Sequence, residues 1–580
     1  MSQSSISKPS KIILGIHDGT HDAGACIIQD GQILAAMDEE RFLRRKNAGG
    51  FPTNSIINCL EVLQMHPTDI DEVAFAGLIN PNPVLRLFRN QQEKWRLDDG
   101  HFYNPSNTGR FSNWLQFQSP FPKIRSNNVW WNGLLTKRFQ RELHQKIHFP
   151  KDTKISIFDH HQCHAAAGYY QSGFEEALVV VADGIGDGLC LSLWKGNGLS
   201  LSKIFEMPYP HSYGLLYASI TGYFGFKPFR HEGKVTGLSA AGTASNIPIA
   251  FPFQGDFPNR KITESFPLYE WLQGLDGYSK EDTAAWLQHG IQRELGEIIK
   301  YFMKSETHRN NKNHELSTNL VCSGGLFANV SLNQYLVEYC QPRNIFIFPN
   351  MGDAGLSVGA AHLAYPTIPK PLETLFLGTD INQNHTVKTV QKANLKCLKG
   401  NIVELTAQAL QEGKIVARCS GRMEYGPRAL GNRSILASAK SPNITQRLNH
   451  ALQRSDFMPF APMIRREDMD LALKPSEPSN FAYQWMTITG TATEYLMQTS
   501  PAIVHIDKTL RPQIIDQKQK ELWDILTLHK ENTGEIALIN TSFNIHEEPI
   551  VCNISEAITT FKAAKLDALI LGDYWITHTK

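Results

Sequence analysis

Two histidines spaced by one helical turn form the clearest chemical pattern in the sequence. His160 and His164 occur in DHHQCHAAAG, so on a helix both imidazoles lie on one face, and His161 points elsewhere. Asp183 follows the apolar stretch ALVVVA, and Asp353 precedes small and apolar residues typical of a helix. Two imidazoles and two carboxylates suit iron, manganese or zinc. The pattern therefore predicts a divalent-metal site, with a hydrogen-bonded histidine pair that binds no metal as the alternative.

Two glycine-rich segments are candidates for binding the phosphates of a nucleotide. In VCSGGLFANVSLN, Gly324 and Gly325 lie between a predicted strand and a helix that begins near Asn329. In HEGKVTGLSAAG, Lys234 stands among glycines. Backbone N–H groups at such turns can face phosphate oxygens, helped by a helix N-terminus. Neither segment has the spacing of a P-loop or of GxGxxG, so a packing turn is the alternative for each.

An arginine-rich segment in the last third of the chain predicts an anion site. GRMEYGPRALGNRSIL has three arginines in twelve residues, and more basic and polar side chains follow it. The complete candidate set is Arg422, Arg428, Arg433, Arg454, Arg511, Asn540, Thr541 and Ser542. Guanidinium groups and small hydroxyls suit a compact dianion such as phosphate. A solvated basic loop is the alternative, which the intervening glycines and proline disfavour because they prevent a regular helix face.

A weak internal repeat must position these residues. Between Lys11 and Met37, short apolar stretches alternate with turn residues and predict three strands, and Ala177–Met207 repeats the pattern. Both copies place Asp-Gly after the first strand, at Asp18-Gly19 and Asp183-Gly184. Two β-β-β units followed by helices predict a duplicated α/β fold with a cleft, as in actin and the sugar kinases, whose cleft holds a nucleotide. Two unrelated hairpins are the alternative.

Changes in composition divide the rest of the chain. Residues 80–150 are rich in Asn, Arg, Phe and Trp and predict an inserted segment of helices and loops. A predicted helix over Gly355–Ala364 is followed by prolines that cannot continue it, so we place a domain boundary near residue 368. Residues 369–580, with helical and strand-like stretches such as Ile402–Gln411 and Ile536–Asn540, predict a second α/β domain.

Composition limits the class of protein. The chain has 580 residues and a net charge of +1, which disfavours binding to nucleic acid through a basic surface. Its apolar runs are strand-sized, whereas a membrane span needs about 20 apolar residues. The first residues lack the apolar centre of a signal peptide, and the nine cysteines form no CxxC pair. We therefore expect a reduced, cytoplasmic protein without a zinc ribbon.

Taken together, the motifs resemble the O-carbamoyltransferase family of the NodU, CmcH and TobZ type. The chain contains, in order, HDAGACIIQDGQILAAMDEERFLRRK, DHHQCHAAAGYY, GKVTGLSAAG, GGLFANVSLN, GRMEYGPRALGNRSIL, FMPFAP and NTSFN. The resemblance extends from about residue 11 to 575. It implies an actin-like domain over residues 1–368, similar to the protein that transfers threonylcarbamoyl to tRNA. It also implies a YrdC-like adenylate-forming domain over residues 369–580.

The resemblance implies a reaction in two steps. Carbamoyl phosphate and ATP, with Mg²⁺, give carbamoyl adenylate, pyrophosphate and phosphate. The carbamoyl group then passes to a hydroxyl of a small natural product, and AMP leaves. A carbamoyl carbon is a poor electrophile because its nitrogen donates into the carbonyl, and an adenylate improves the leaving group. Since the intermediate hydrolyses easily, we expect an enclosed path between the two sites.

The resemblance also implies roles for individual residues. The quartet His160, His164, Asp183 and Asp353 resembles the ligands of Fe²⁺ or another divalent ion. His21 matches the base for the acceptor hydroxyl, a role that suits an imidazole that is neutral near pH 7, and a loop-structuring histidine is the alternative. The implied nucleotide-binding residues are Lys46, Lys234, Gly324, Gly325 and Asn329. For Lys46 the alternative is a solvated charge.

The implied carbamoyl phosphate site consists of Arg428, Arg454, Arg511, Asn540 and Ser542. One departure from the family pattern lies before FMPFAP, where many relatives have lysine and this chain reads Leu452-Gln453-Arg454-Ser455. We assign the basic role to Arg454, and the register that would instead place Gln453 there stays open.

Two other functions compete with this interpretation. One is a tRNA threonylcarbamoyl-type modification enzyme, which salt-dependent tRNA binding would support. The other is a nucleotide-binding regulatory module without catalysis. The acceptor, the metal and the oligomeric state, including a homodimer, are left open by the sequence. We expect the aromatic residues of segment 80–150 to shape the acceptor pocket by stacking.

Overall fold

The computed structural model describes residues 10–79, 129–263, 268–309, 318–383, 386–454, 460–474 and 479–579. Most of the predicted insertion, residues 80–128, lies outside the described residues, as does the first half of the FMPFAP motif. The described end of the insertion, Val129–Ile147, is helical as predicted. No described helix is long and apolar enough to cross a membrane.

Two five-stranded sheets with the same strand order lie within the first 364 residues. The strands of the first sheet are β1 (Ile12–His17), β2 (Gly24–Gln29), β3 (Gln32–Asp38), β4 (Glu72–Ala76) and β5 (Ile155–Phe158). Those of the second are β6 (Glu176–Gly186), β7 (Leu189–Asn197), β8 (Ser200–Pro208), β11 (Leu320–Ser323) and β12 (Ile345–Ile347). The orders are β3-β2-β1-β4-β5 and β8-β7-β6-β11-β12. In each, an antiparallel three-strand unit continues into two parallel strands, which confirms the predicted pair of β-β-β units.

Helices connect and cover these sheets. They are α1 (Glu40–Leu43), α2 (Thr53–Val62), α3 (Val129–Ile147), α4 (His160–Ser172), α5 (Tyr213–Tyr223), α6 (Glu232–Ser239), α7 (Tyr269–Leu272), α8 (Lys280–Arg309), α9 (Val330–Cys340) and α10 (Leu356–Ala364). A two-stranded sheet, β9 (Phe253–Gln254) and β10 (Lys261–Ile262), lies between α6 and α7. Helix α10 packs on the first sheet, α4 packs on the second, and the two helices pack on each other. They therefore form the layer that joins the two halves.

Small residues allow α4 and α10 to approach closely. A Cβ added at Gly359 of α10 would overlap the carbonyl oxygen of Cys163 in α4. A Cβ at Gly15 of β1 would overlap the carbonyl oxygen of Ser357. Because α4 carries both predicted metal-ligand histidines, this contact fixes their distance from the start of α10.

The remaining residues form a mixed eight-stranded sheet in the order β13-β23-β22-β14-β15-β21-β16-β20. Its strands are β13 (Leu395–Lys399), β14 (Val416–Cys419), β15 (Arg433–Ser438), β16 (Ala461–Arg465), β20 (Gln513–Ile515), β21 (Ala537–Ser542), β22 (Ala568–Leu571) and β23 (Tyr574–His578). A small sheet contains β17 (Leu473–Lys474), β18 (Gly490–Ala492) and β19 (Thr509–Leu510). The helices are α11 (Thr386–Lys392), α12 (Ile402–Gln411), α13 (Asn443–Ala451), α14 (Met469–Ala472), α15 (Asn480–Tyr483), α16 (Glu494–Thr499), α17 (Lys520–Thr533) and α18 (Ile554–Ala563).

Arginines link this C-terminal region to the first sheet through backbone carbonyls. Arg41, which is 1% exposed, donates to the carbonyl oxygen of Gly426 at 2.6 Å. Arg44 donates to the carbonyl oxygens of Ile550 and Pro549 at 2.7 and 2.8 Å. Hydrogen bonds from charged donors contribute about 1.5–3 kcal/mol each, so these contacts hold the two regions in one arrangement.

We predict that Gly359→Ala destabilises the protein by about 1–3 kcal/mol, because the added methyl group must displace backbone atoms of α4. Gly133→Ala is the matched control, since Gly133 lies in α3 with nothing within 4 Å of an added Cβ. In urea denaturation, Gly133→Ala is expected to leave stability unchanged or raise it slightly. Equal stability of both variants would contradict the close packing of α4 on α10.

Candidate functional site

A single cavity of about 1080 Å³ brings the predicted site residues together. Residues from both halves of the first 364 residues and from the C-terminal region line it. The predicted residues on its wall are His21, Lys46, Asp183, Lys234, Gly325, Asn329, Asp353, Arg428, Arg454, Arg511, Asn540 and Ser542. His160, His164 and Gly324 are close behind this wall, since each contacts Asp183, Asp353 or the strand that carries Asp183.

The four predicted metal ligands converge on one point. Their ligand atoms all lie within 4.8 Å of one another. His160 Nε2 is 3.3 Å from Asp183 Oδ2 and 3.5 Å from Asp353 Oδ1, and His164 Nε2 is 3.6 Å from the same Asp353 oxygen. The histidines come from the first turns of α4, Asp183 from β6, and Asp353 from the 3₁₀ turn before α10. His161 bonds Ser192 Oγ instead and is outside this group, as expected.

Asp187, which is not one of the four predicted metal ligands, holds the beginning of α4 in place. Asp187 is 4% exposed and accepts hydrogen bonds from the backbone N–H groups of Leu78, Ile79 and His160, at 2.7 to 2.8 Å. Asp159 caps the same helix by accepting from the N–H of Gln162. Sequence reasoning missed Asp187. The signal that could have found it is the second Asp-Gly pair of DGIGDG, directly before β7.

The charges of the quartet favour a bound cation. Burial alone would lower the pKa of His160, but Asp353 and Asp183 outweigh it and raise that pKa to about 9. Burial likewise opposes ionisation of Asp183, yet the hydrogen bond with His160 lowers its pKa to about 2. Asp183 and Asp353 are therefore ionised, and their negative charge attracts a cation. This donor set fits a divalent metal ion.

Two further histidines approach the same carboxylate. His21 Nδ1 is 3.0 Å from Asp22 Oδ2, and its Nε2 is 3.6 Å from Asp353 Oδ2. Burial lowers the pKa of His21, but Asp353 and Asp22 dominate and raise it to about 10. The role of His21 as the base for the acceptor hydroxyl stays a prediction, and the carboxylates beside it were not visible in the sequence. His17, which is fully buried with Nε2 3.7 Å from Asp353 Oδ2, was missed.

Three arginines meet in the C-terminal part of the cavity. Burial lowers the pKa of Arg428 to about 10 and also lowers that of Arg454. Arg511 has its pKa lowered well below its usual value, first by burial and then by Arg428 and Arg454. Within the described ranges, no carboxylate forms an ion pair with any of the three. Partly buried positive charges without a carboxylate partner are the expected feature of an anion site.

Strand β21 supplies the neutral polar groups beside these arginines. Asn540 donates from Nδ2 to Gln513 Oε1 at 2.6 Å, while its Oδ1 is buried without a partner among the described residues. Arg454 donates to Thr541 Oγ1 at 3.0 Å. Gln453 is exposed, has a φ of +55° and is not on the cavity wall, so Arg454 is the residue that reaches the site. Gln513 was not predicted.

Two arginines of the predicted anion set have other contacts, which corrects that part of the sequence analysis. Arg422 donates to the carbonyl oxygens of Leu34, Leu377 and Gly378. Arg433 is fully buried and donates to carbonyl oxygens of five residues, namely Thr379, Ser420, Gly421, Asn432 and Cys552. Neither is on the cavity wall. Their residue type and spacing match those of Arg428, so the sequence alone did not separate them.

A buried glutamate shapes the loop that carries Arg428. Glu424, 2% exposed, accepts at Oε1 from the backbone N–H groups of Leu430, Asn432 and Arg433 at 2.8 to 3.0 Å. Three N–H groups directed at one carboxylate oxygen fold the segment back on itself, and Arg428 lies at the tip of that bend. Glu424 was not predicted as part of the site.

The two predicted nucleotide lysines are both on the cavity wall. Lys46 Nζ is 3.3 Å from Glu40 Oε1, so its charge is shared with a partly buried carboxylate. Lys234 lies on α6, with Nζ 5.5 Å from the ring centroid of Phe226. Both ammonium groups are placed to meet a ligand that enters the cavity.

The predicted glycine-rich cradle serves mainly to pack the chain. Gly324 has a φ of +104°, and a Cβ there would overlap the carbonyl oxygen of Ala182. Gly325 donates its N–H to Asp183 Oδ1 at 3.2 Å. Asn329 caps α9 and exchanges hydrogen bonds with Gln288. A role of these residues in nucleotide binding stays a prediction.

Two family models together match most of the chain. Residues 12–362 match the family model described as carbamoyltransferase N-terminus, and residues 407–578 match the one described as carbamoyltransferase C-terminus. An uncharacterized protein of Methanocaldococcus jannaschii, MJ1051, is 31% identical over 98% of this chain and 100% of its own length. The nodulation protein NolNO of Sinorhizobium fredii is 27% identical over 96% of this chain and 79% of its own.

The 3'-hydroxymethylcephem-O-carbamoyltransferase of Streptomyces clavuligerus is also similar, with 28% identity over 44% of this chain and 48% of that enzyme. The two family models leave only short stretches of the chain unmatched. The chain therefore belongs to the carbamoyltransferase family, the O-carbamoyltransferases of the NodU and CmcH type.

Proposed function

We propose that this enzyme forms carbamoyl adenylate from carbamoyl phosphate and ATP and then transfers the carbamoyl group to a hydroxyl of a small natural product. The observation that supports this most strongly is the shared cavity. One wall has three partly buried arginines without a carboxylate partner among the described residues, and another has the carboxylates of a metal quartet. An activated carbamoyl group formed beside the arginines can reach the quartet without leaving the protein, which limits its hydrolysis.

Carbamoyl phosphate is the anion that the arginine wall suits best. Arg428, Arg454 and Arg511 match the charge of a phosphate dianion, and guanidinium groups bind its oxygens in pairs. The carbamoyl end of the molecule carries an NH₂ group. The unpartnered Oδ1 of Asn540 offers an acceptor for one of its N–H groups, and Ser542 on the same wall offers a hydroxyl.

The quartet His160, His164, Asp183 and Asp353 is proposed to hold Fe²⁺ or another divalent ion. Two nitrogen and two oxygen atoms within 4.8 Å of one another gather the usual donors of a small divalent cation around one point. When bound, such an ion supplies Lewis-acid polarisation of the group under attack. With a cation held by Asp183 and Asp353, His21, whose Nε2 is 3.6 Å from Asp353 Oδ2, would be placed to accept the proton of the acceptor hydroxyl.

We also propose a role for each of the two domains. Residues 1–368, with their paired sheets, are proposed to be the actin-like transfer domain, and residues 369–580 the YrdC-like domain that forms the adenylate. ATP, with Mg²⁺, is proposed to bind in the shared cavity near Lys46 and Lys234. The protein is proposed to act in the cytoplasm on a small acceptor rather than on a nucleic acid, in keeping with its net charge of +1.

We predict that Arg428→Ala abolishes carbamoyl-phosphate-dependent exchange between ATP and labelled pyrophosphate, with a loss of at least about 100-fold. The bound metal content is expected to be unchanged, because Arg428 is not part of the quartet. Arg447→Ala is the matched control, since Arg447 is exposed, pairs with Asp567 and lies off the cavity wall. Full exchange activity in Arg428→Ala would contradict the assigned carbamoyl phosphate site.

We predict that His164→Ala loses the bound metal and the transfer of carbamoyl to an acceptor but keeps pyrophosphate exchange. Metal content after dialysis, measured by elemental analysis, gives the first readout, and the exchange assay gives the second. His161→Asn is the control, because His161 lies on the same helix but bonds Ser192 and is outside the quartet. If His164→Ala and Arg428→Ala fail in the same half-reaction, the proposed division between two sites is wrong.

A further inference from the structure

A carboxylate among basic side chains lies on the wall of the same cavity, apart from the residues assigned above. Glu547 follows β21, and its Oε1 is 2.8 Å from His231 Nε2. Its Oε2 is 3.1 Å from Lys227 Nζ and 3.6 Å from Arg230 Nη2. The three basic residues come from the segment that leads into α6. The contact therefore joins the second half of the first domain to the C-terminal region.

Positive charge exceeds negative charge around Glu547. His546 Nε2 lies 3.7 Å from Glu547 Oε1. Burial lowers the pKa of His546, and the charges of Lys234 and Arg454 lower it further. Burial opposes ionisation of Glu547, but the hydrogen bonds with His231 and Lys227 lower its pKa to about 2. The ionised Glu547 carboxylate thus faces two fixed cations, Lys227 and Arg230, and the imidazole of His231, whose pKa burial lowers, and a third of the Glu547 side chain is exposed to solvent. A more highly charged anion can reach and replace it.

The backbone on both sides of the contact is also unusual. Phe229 has a φ of +62° and Glu547 a φ of +71°, values that are rare for residues other than glycine. Such conformations cost about 1–3 kcal/mol and persist where surrounding contacts enforce them. The ion pair is one of the contacts that hold these two turns, beside the hydrogen bond from the Phe229 N–H to Glu232 Oε1 and that from Asn544 Nδ2 to the carbonyl oxygen of Glu548.

We propose that Lys227, Arg230 and His231 form a binding subsite for polyphosphate, in which the Glu547 carboxylate occupies the place of a phosphate group until the nucleotide enters. Carboxylate and phosphate oxygens accept hydrogen bonds from the same cationic donors, and a polyphosphate offers more charge and more acceptors. This inference rests on the proposed function only in that ATP is the source of the polyphosphate. The released pyrophosphate has the same chemistry and therefore serves as the probe.

Two other interpretations of the cluster lead to different expectations. His231, His546 and Glu547 place ligand atoms within 4.8 Å of one another, as a metal site does, but Lys227 and Arg230 donate to the same carboxylate and repel a cation. If the ion pair is purely structural, removing the Glu547 charge leaves pyrophosphate binding unchanged or weakens it. Displacement predicts the opposite for an anion, because Glu547 competes with it.

We predict that Glu547→Gln binds inorganic pyrophosphate about tenfold more tightly than the wild-type protein, because the resident charged acceptor is removed. Arg230→Gln is expected to bind it about tenfold or more weakly. Isothermal titration calorimetry at fixed ionic strength measures both affinities. Glu206→Gln is the control, since Glu206 pairs with Lys203 at 2.6 Å on β8, off the cavity wall.

Unchanged or weaker pyrophosphate binding by Glu547→Gln overturns the inference and leaves a structural ion pair. Zn²⁺ binding by the wild-type protein that is lost in Glu547→Gln, and retained in His164→Ala, also overturns it in favour of a metal site. Pyrophosphate exchange separates this inference from the proposed function. If exchange dependent on carbamoyl phosphate is present but Glu547→Gln binds no tighter, only the inference fails. If affinities shift as expected and exchange is absent, the subsite stands and the adenylate-forming function fails.

Discussion

The structure depends on keeping like charges together in the interior of one cavity. Burial and the charges of Arg428 and Arg454 lower the pKa of Arg511 well below its usual value, and the charge of Asp353 likewise opposes ionisation of Asp183. Removing an ion from water costs several kcal/mol even after relaxation, so neither group is stable unless the fold holds it rigidly or a ligand compensates it. The arginines therefore favour an anion and the aspartates a cation. The proposed reaction uses both sites, because it begins with an anionic carbamoyl donor and ends with transfer of the carbamoyl group to an alcohol.

Backbone contacts supply the necessary rigidity. The close approach of α4 to α10 fixes the quartet, and Asp187 ties the first turn of α4 to the end of β4 through three N–H groups. Glu424 does the same for the loop of Arg428. Asp187 and Glu424 are both buried carboxylates that accept from several backbone N–H groups, so each orders a segment without depending on other side chains. The site residues themselves then stay available for ligands.

The sequence predicted the residues that act through their chemical type and local spacing. His160 and His164 follow from the helical period, and Asp183 and Asp353 from their places at a strand and a helix start. It did not separate Arg422 and Arg433 from Arg428, because whether a guanidinium meets carbonyl oxygens or an open cavity depends on segments that are distant in the sequence, such as Leu34 for Arg422. The order of the eight-stranded sheet depends on the same kind of long-range pairing. Asp187 and Glu424 were missed for another reason, because an acidic residue type does not reveal which backbone N–H groups it accepts from.

The same distinction identifies ligand sites among chemically similar residues. Arginines whose N–H groups are directed at carbonyl oxygens, such as Arg433, stabilise the fold, whereas arginines that line a cavity without a carboxylate partner among the described residues, such as Arg511, favour an anion. The basic cluster around Glu547 lies between these cases, since its acceptor is a side chain that is partly exposed and attached to a strained turn. An acceptor of this kind can leave without breaking backbone structure. A charged side chain that satisfies a basic cavity wall and can move away is, on physical grounds, a competitor of the ligand rather than part of the fold.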